Sequence, residues 1–123
     1  MMNLFVEGGW GMFPVLVFGL VLVVSAGRYA WEPAAARLRF IVAMSVLLAT
    51  AIAHAMLTNV AAVFSFVSNP ESVSDTQLAR VLCTGFMEST RPGALGGAFL
   101  VLALVLVAVG VYRDGRKELR LAA

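Results

Sequence analysis

Three unbroken apolar runs set the pattern of this chain, and its polar residues fall between them. The runs cover 10–29, 39–67 and 94–112. A helix needs about 20 apolar residues to cross the hydrocarbon core of a bilayer, so each run predicts a spanning helix. Trp10 at one end of the first run, with Tyr29 and Trp31 at the other, suits the aromatic belts of a membrane span. Pro14 falls in its first turn, where a missing N–H costs little. The second run is longer than a bilayer requires, which predicts tilt or projection beyond the membrane.

The loop between the second and third runs has a pattern of its own. "NPESVSDTQLARVLCTGFMESTRPG" starts and ends with helix breakers. Ser74 and Gln77 have capping-box spacing. Leu78, Val81, Leu82, Gly85 and Phe86 then share one helical face. A short amphipathic helix is expected over 74–89, at the outer membrane surface or packed over the bundle mouth. Arg91-Pro92-Gly93 is expected to break the chain before the third span, with Pro92 near the first turn of that helix.

Composition turns this pattern into a class. Of 123 residues, 61% are hydrophobic and only 13% charged; soluble domains carry roughly 25% charged residues. Mean hydropathy is +0.93. No water-soluble core of this length absorbs so much apolar sequence, whereas lipid does. The expected architecture is an all-α integral membrane protein forming a single membrane domain, 1–123. It has three transmembrane helices, a short amphipathic helix between spans two and three, and a cytoplasmic tail, 113–123.

Charge gives the expected orientation. Arg28, Arg37 and Arg39 lie in the first linker, and Arg113, Arg116, Lys117 and Arg120 in the tail. The second loop holds only Arg80 and Arg91, and no Lys or Arg precedes the first span. The positive-inside rule then places the N-terminus outside and the C-terminus in the cytoplasm of a bacterial inner membrane. The lack of a basic n-region also favours a retained first span over a cleaved signal peptide.

The candidate chemistry is sparse. His54 is the strongly titratable residue expected at depth. Thr50, His54 and Thr58 stand at i, i+4 and i+8, so they share one helical face; Ser65 continues that stripe approximately, and Asn59 lies beside it. Polar groups at membrane depth usually face a bundle interior or a water-filled cavity. The stripe therefore reads as hydrogen bonding between helices, as a pore or gating surface, or as a site for haem or quinone at His54. A lone histidine supplies at most one axial haem ligand per chain. Gly93 and Gly97 form GxxxG at the start of span three, and Ala49/Ala53 and Ala51/Ala55 repeat the spacing in span two; such faces let helices approach closely, within the chain or between subunits. Cys83 reads as a packed thiol, and a single cysteine forms no intrachain disulfide. No metal-ligand spacing, catalytic triad or carboxylate pair is evident. The expectation is no enzyme, no metal and no cofactor. A net charge of +2, with no basic stripe carrying interleaved aromatics, gives no reason to expect nucleic acid.

The first span, "EGGWGMFPVLVFGLVLVVSAGRYAW", resembles that of the MotA/TolQ/ExbB proton-channel family. Gly8, Gly9, Met12, Pro14 and Arg28 carry the likeness. Downstream, "LARVLCTGFMESTRPGALGG" resembles the family stretch leading into its last span, with Gly85, Glu88 and Gly96 in comparable places. The family's cytoplasmic domain between spans one and two is reduced here to a linker at 28–39. A Gly-Thr motif in span two is not evident, and Arg91-Pro92-Gly93 stands near the place of the pore-lining Thr. The resemblance thus implies a minimal, degenerate member. It further implies an oligomer around a single-span partner membrane protein that supplies the proton-binding carboxylate, in proton-driven transport or force transduction. The other reading is a non-conducting accessory or scaffold subunit of a larger membrane complex.

Overall fold

The computed structural model describes residues 10–69 and 73–122. Gly8 and Gly9 of the first-span resemblance, and Pro70 and Glu71 of the second loop, lie outside them. Four helices follow one another: α1, Met12–Trp31; α2, Ala35–Val67; α3, Leu78–Ser89; and α4, Arg91–Ala122. No strand occurs among the described residues. Three stretches are long and apolar enough to cross a membrane: Met12–Trp31, Ala35–Val67 and Leu78–Leu121, the last joining α3 and α4.

The helix limits have local causes. Pro33 ends α1 by forcing the preceding Glu32 into extended backbone (φ −128°, ψ 90°). The expected capping box does not form: α3 begins at Leu78, with no side-chain cap. The Ser74 hydroxyl instead bonds the Thr76 hydroxyl, while the Gln77 N–H donates to the Ser74 carbonyl, so a local turn takes the place of the cap. The break at Arg91-Pro92-Gly93 is also slighter than expected. Thr90 keeps helical dihedrals (φ −83°, ψ −12°), and α4 starts at Arg91 with buried Pro92 in its first turn, where its lost N–H does little harm. The Ala94 N–H donates to the Thr90 carbonyl across the junction, while the Ser89 and Thr90 hydroxyls donate back to the Gly85 and Met87 carbonyls of α3. The expected tail, 113–123, continues the helix to Ala122.

Glycines report the register. A Cβ at Gly85 would press on Val63, one at Gly93 on Met56 and one at Gly96 on Ile52. As the number rises on α3 and α4 it falls on α2, so these helices pair antiparallel along one continuous line. α3 therefore packs along the end of α2, where Phe64 and Phe86 meet edge to face at 5.8 Å, and does not lie across a bundle mouth. Against α1 the order is parallel: Val15 meets Gly96, Gly19 meets Phe99 and Tyr29 meets Gly110.

The interior is a seam with heptad spacing. On α1 Met12, Val15, Gly19, Leu22, Ala26 and Tyr29 are buried in alternating steps of three and four, with Ala30 buried beside Tyr29. On α2 they are Ile41, Leu48 and Ala55. Along α3 and α4, small residues recur every seventh position at Ser89, Gly96, Ala103 and Gly110. Steps averaging 3.5 residues keep one face toward a neighbour, the basis of shallow left-handed helix packing. Large residues of one helix oppose small residues of the next, as Phe99 does Gly19 and Tyr29 does Gly110.

At about 1.5 Å per residue, the 20 residues of α1 reach about 30 Å and the 33 of α2 about 50 Å. The start of α1 meets α2 where Gly11 faces Ala55. Beyond that level the end of α2 and α3 continue as a pair. At the opposite end, arginines finish α1. Arg37 donates to the Glu32 carbonyl at 2.8 Å and contacts the Glu32 carboxylate at 3.1 Å. Arg113 donates to the Ala30 carbonyl at 3.0 Å and lies 5.7 Å from the centre of the Trp31 ring. Cations suit the carbonyl end of a helix, and these two draw the first linker and the C-terminal helix to one end of the bundle.

Candidate functional site

The polar stripe predicted on the second span stands on the outside of the bundle. With Ile41, Leu48 and Ala55 inward, Thr50 faces away and His54 lies on the flank of α2, whereas Thr58, three residues from Ala55, lies beyond the start of α1; all three are exposed. Neither threonine hydroxyl reaches another helix. Thr50 donates to the Val46 carbonyl at 2.9 Å and Thr58 to the His54 carbonyl at 2.8 Å. This i−4 pairing satisfies a hydroxyl on its own helix, so the two threonines enter apolar surroundings without an unmet donor. Ser65 is also exposed, and Asn59 is half-buried.

His54 has a definite level along the bundle. It is next to Ala55, which Gly11 meets, so it is level with the beginning of α1. Thr50 lies one turn further along α1, and Thr58 beyond its start. Counting the whole second run as membrane-embedded puts His54 near mid-depth; pairing with the shorter α1 puts it near one edge.

Around the stripe the outer surface mixes small residues with the exposed Val46, Leu47 and Leu57. Ala49, Ala53 and Ala61 are exposed beside it, whereas Ala51 and Ala55 of the parallel motif turn inward. The two small-residue motifs thus have different destinations, one inside the chain and one on its surface. The outer surface of α4 is bulky and aliphatic, with Val101, Leu104, Val105 and Val109 all exposed.

Gly93 and Gly97 also part ways. Gly93 lies against Met56, while nothing in the chain comes within 4 Å of a Cβ at Gly97. The close approaches between α1 and α4 fall on Gly19, Gly96 and Gly110. Reading only i, i+4 pairs missed this seam; the seven-residue recurrence of Gly96, Ala103 and Gly110 was the available signal. Cys83 is exposed, not packed. No group of three or more potential metal ligands occurs among the described residues. No family model, curated protein or solved structure matches the chain.

Proposed function

We propose that this protein is a subunit of an oligomeric membrane assembly, joined to its neighbours through the outer face of α2. One observation carries the reading: Thr50, His54 and Thr58, flanked by Ala49 and Ala53, face out from the chain's own bundle. A lipid-facing helix gains nothing from small and polar residues there, whereas a helix receiving another helix gains close approach and interhelical hydrogen bonds. The first-span resemblance to the MotA/TolQ/ExbB family supports a ring of copies around a single-span partner. The arginines drawn together at the end of α1 support an inner-membrane protein with that end in the cytoplasm. α3 would then stand at the outer surface, with Gln77, Arg80 and Thr84 toward water.

Within this assembly the stripe acts first as a contact surface. The position of His54 near the beginning of α1 favours assembly over a proton relay in mid-membrane. A proton path remains the second reading, favoured by a titratable group on the same face as two hydroxyls. Two measurements test the proposal. Purification in mild detergent should yield a stoichiometric oligomer, with or without a second chain; a strict monomer from native membranes overturns it. His54→Phe should weaken assembly if the stripe is a contact, and should abolish proton-driven activity with assembly intact if it is a proton path.

A further inference from the structure

The arginine-rich end holds a pocket of about 600 Å³, lined by Val24, Gly27, Arg28, Trp31, Glu32 and Arg37. Its polar part is at the end of α1, where Arg37 is fixed on Glu32 and Arg28 is exposed. Arg113, held over the Trp31 ring, adds a further positive charge beside it. Three arginines against one carboxylate leave the neighbourhood cationic. Its apolar part runs back along α1. Nothing lies within 4 Å of a Cβ at Gly27, so α1 has a notch there, and exposed Val24, Leu20 and Val17 continue the same face.

A cationic rim at an aromatic-marked membrane edge, above an apolar groove, matches a ligand with an anionic head and a hydrocarbon tail. We infer that this pocket binds an anionic glycerophospholipid. Its phosphodiester lies between Arg28 and Arg37 at the level of Trp31, and one acyl chain lies in the notch at Gly27 and along Val24. Trp and Tyr prefer the headgroup level, and basic pockets at the ends of spanning helices suit anionic headgroups. Arg28 supplies the contact that discriminates, because the Arg37 guanidinium is already shared with Glu32.

Native mass spectrometry of the full chain with added phosphatidylglycerol tests this. Arg28→Gln should lower the lipid-bound fraction about fivefold, as expected for one basic residue near a charged surface. Gly27→Leu should lower it comparably by filling the notch; its side chain enters open space, so the fold and oligomeric state should persist. Arg120→Gln, which removes the same charge elsewhere, should leave binding unchanged. Equal loss with Arg120→Gln would show attraction to overall charge and overturn the site. Displacement by millimolar inorganic phosphate, or no effect of Gly27→Leu, would show a headgroup-only contact and overturn the acyl notch. Equal retention of phosphatidylethanolamine would overturn the preference for an anionic head.

Discussion

The outward faces of α2 and α4 are built differently. Both helices exceed 30 residues, and both put a seam of heptad spacing inward. Outward, α4 presents Val101, Leu104, Val105 and Val109, the branched aliphatic surface that lipid tails solvate well. α2 also exposes aliphatic residues, Val46, Leu47 and Leu57, but sets among them two threonines, a histidine, Ala49 and Ala53, where α4 has no polar side chain over 94–110. Lipid is as apolar as leucine, so it exerts no pressure for small or polar residues on a surface it covers. The difference is the polar stripe on α2, and it is this stripe that the proposed assembly would cover with a further helix.

Substitutions can break or sharpen that contrast. The largest effect is expected inside, as a baseline for the outer faces. Gly96→Leu drives a side chain into Ile52 and Val15 and should destabilise the bundle by about 1–3 kcal/mol or more. Titration from mild detergent into denaturing micelles measures it. Gly97→Leu, one residue away, should leave the monomer's stability within about 0.5 kcal/mol.

Next comes the outer face itself. Ala53→Leu should leave the folded monomer intact but weaken self-association or partner binding by about 1–3 kcal/mol, the usual cost of overpacking a close contact. Ala108→Leu on the outer face of α4 should change neither. Analytical ultracentrifugation in detergent separates the two outcomes. Equal effects from both would erase the contrast.

Smaller effects are expected from the polar atoms. Replacing His54 with Phe should cost assembly about 0.6 kcal/mol and at most about 1.7, the average and the upper end for side-chain hydrogen bonds between membrane helices. Thr50→Val should cost less, because its hydroxyl is already satisfied by the Val46 carbonyl. Phe86→Ala should loosen α3 from α2 by about 0.5–1.5 kcal/mol through loss of the edge-to-face pair with Phe64. Hydrogen exchange over 78–89 should rise, with the seam between α1 and α4 unaffected.

Much of the fold was legible in the sequence, for a physical reason. Spanning lengths and the polar breaks between them depend on local composition, so the three long helices could be read from hydropathy. The rest depended on rotation. Whether Gly93, Gly96 or Gly97 faces inward is decided by the opposing helices: Met56 lies against Gly93, Ile52 and Val15 against Gly96, and nothing against Gly97. The capping box failed because Ser74 found a nearer partner in Thr76. The shared face of Thr50, His54 and Thr58 followed from 3.6 residues per turn, but its exposure depended on the inward seam of Ile41, Leu48 and Ala55 at Thr50 and on where α1 begins at Thr58. The level of His54 was hidden because a long apolar run does not reveal where its shorter neighbour begins.

The central claim is that the outer face of α2 meets protein while that of α4 meets lipid. Photo-cross-linking in native membranes tests it directly, with a benzophenone side chain placed at His54 in one variant and at Val105 in another. The account predicts protein adducts from position 54, to a second copy or to a partner chain, and none from position 105. Adducts from 105 alone, or from neither position, would contradict it.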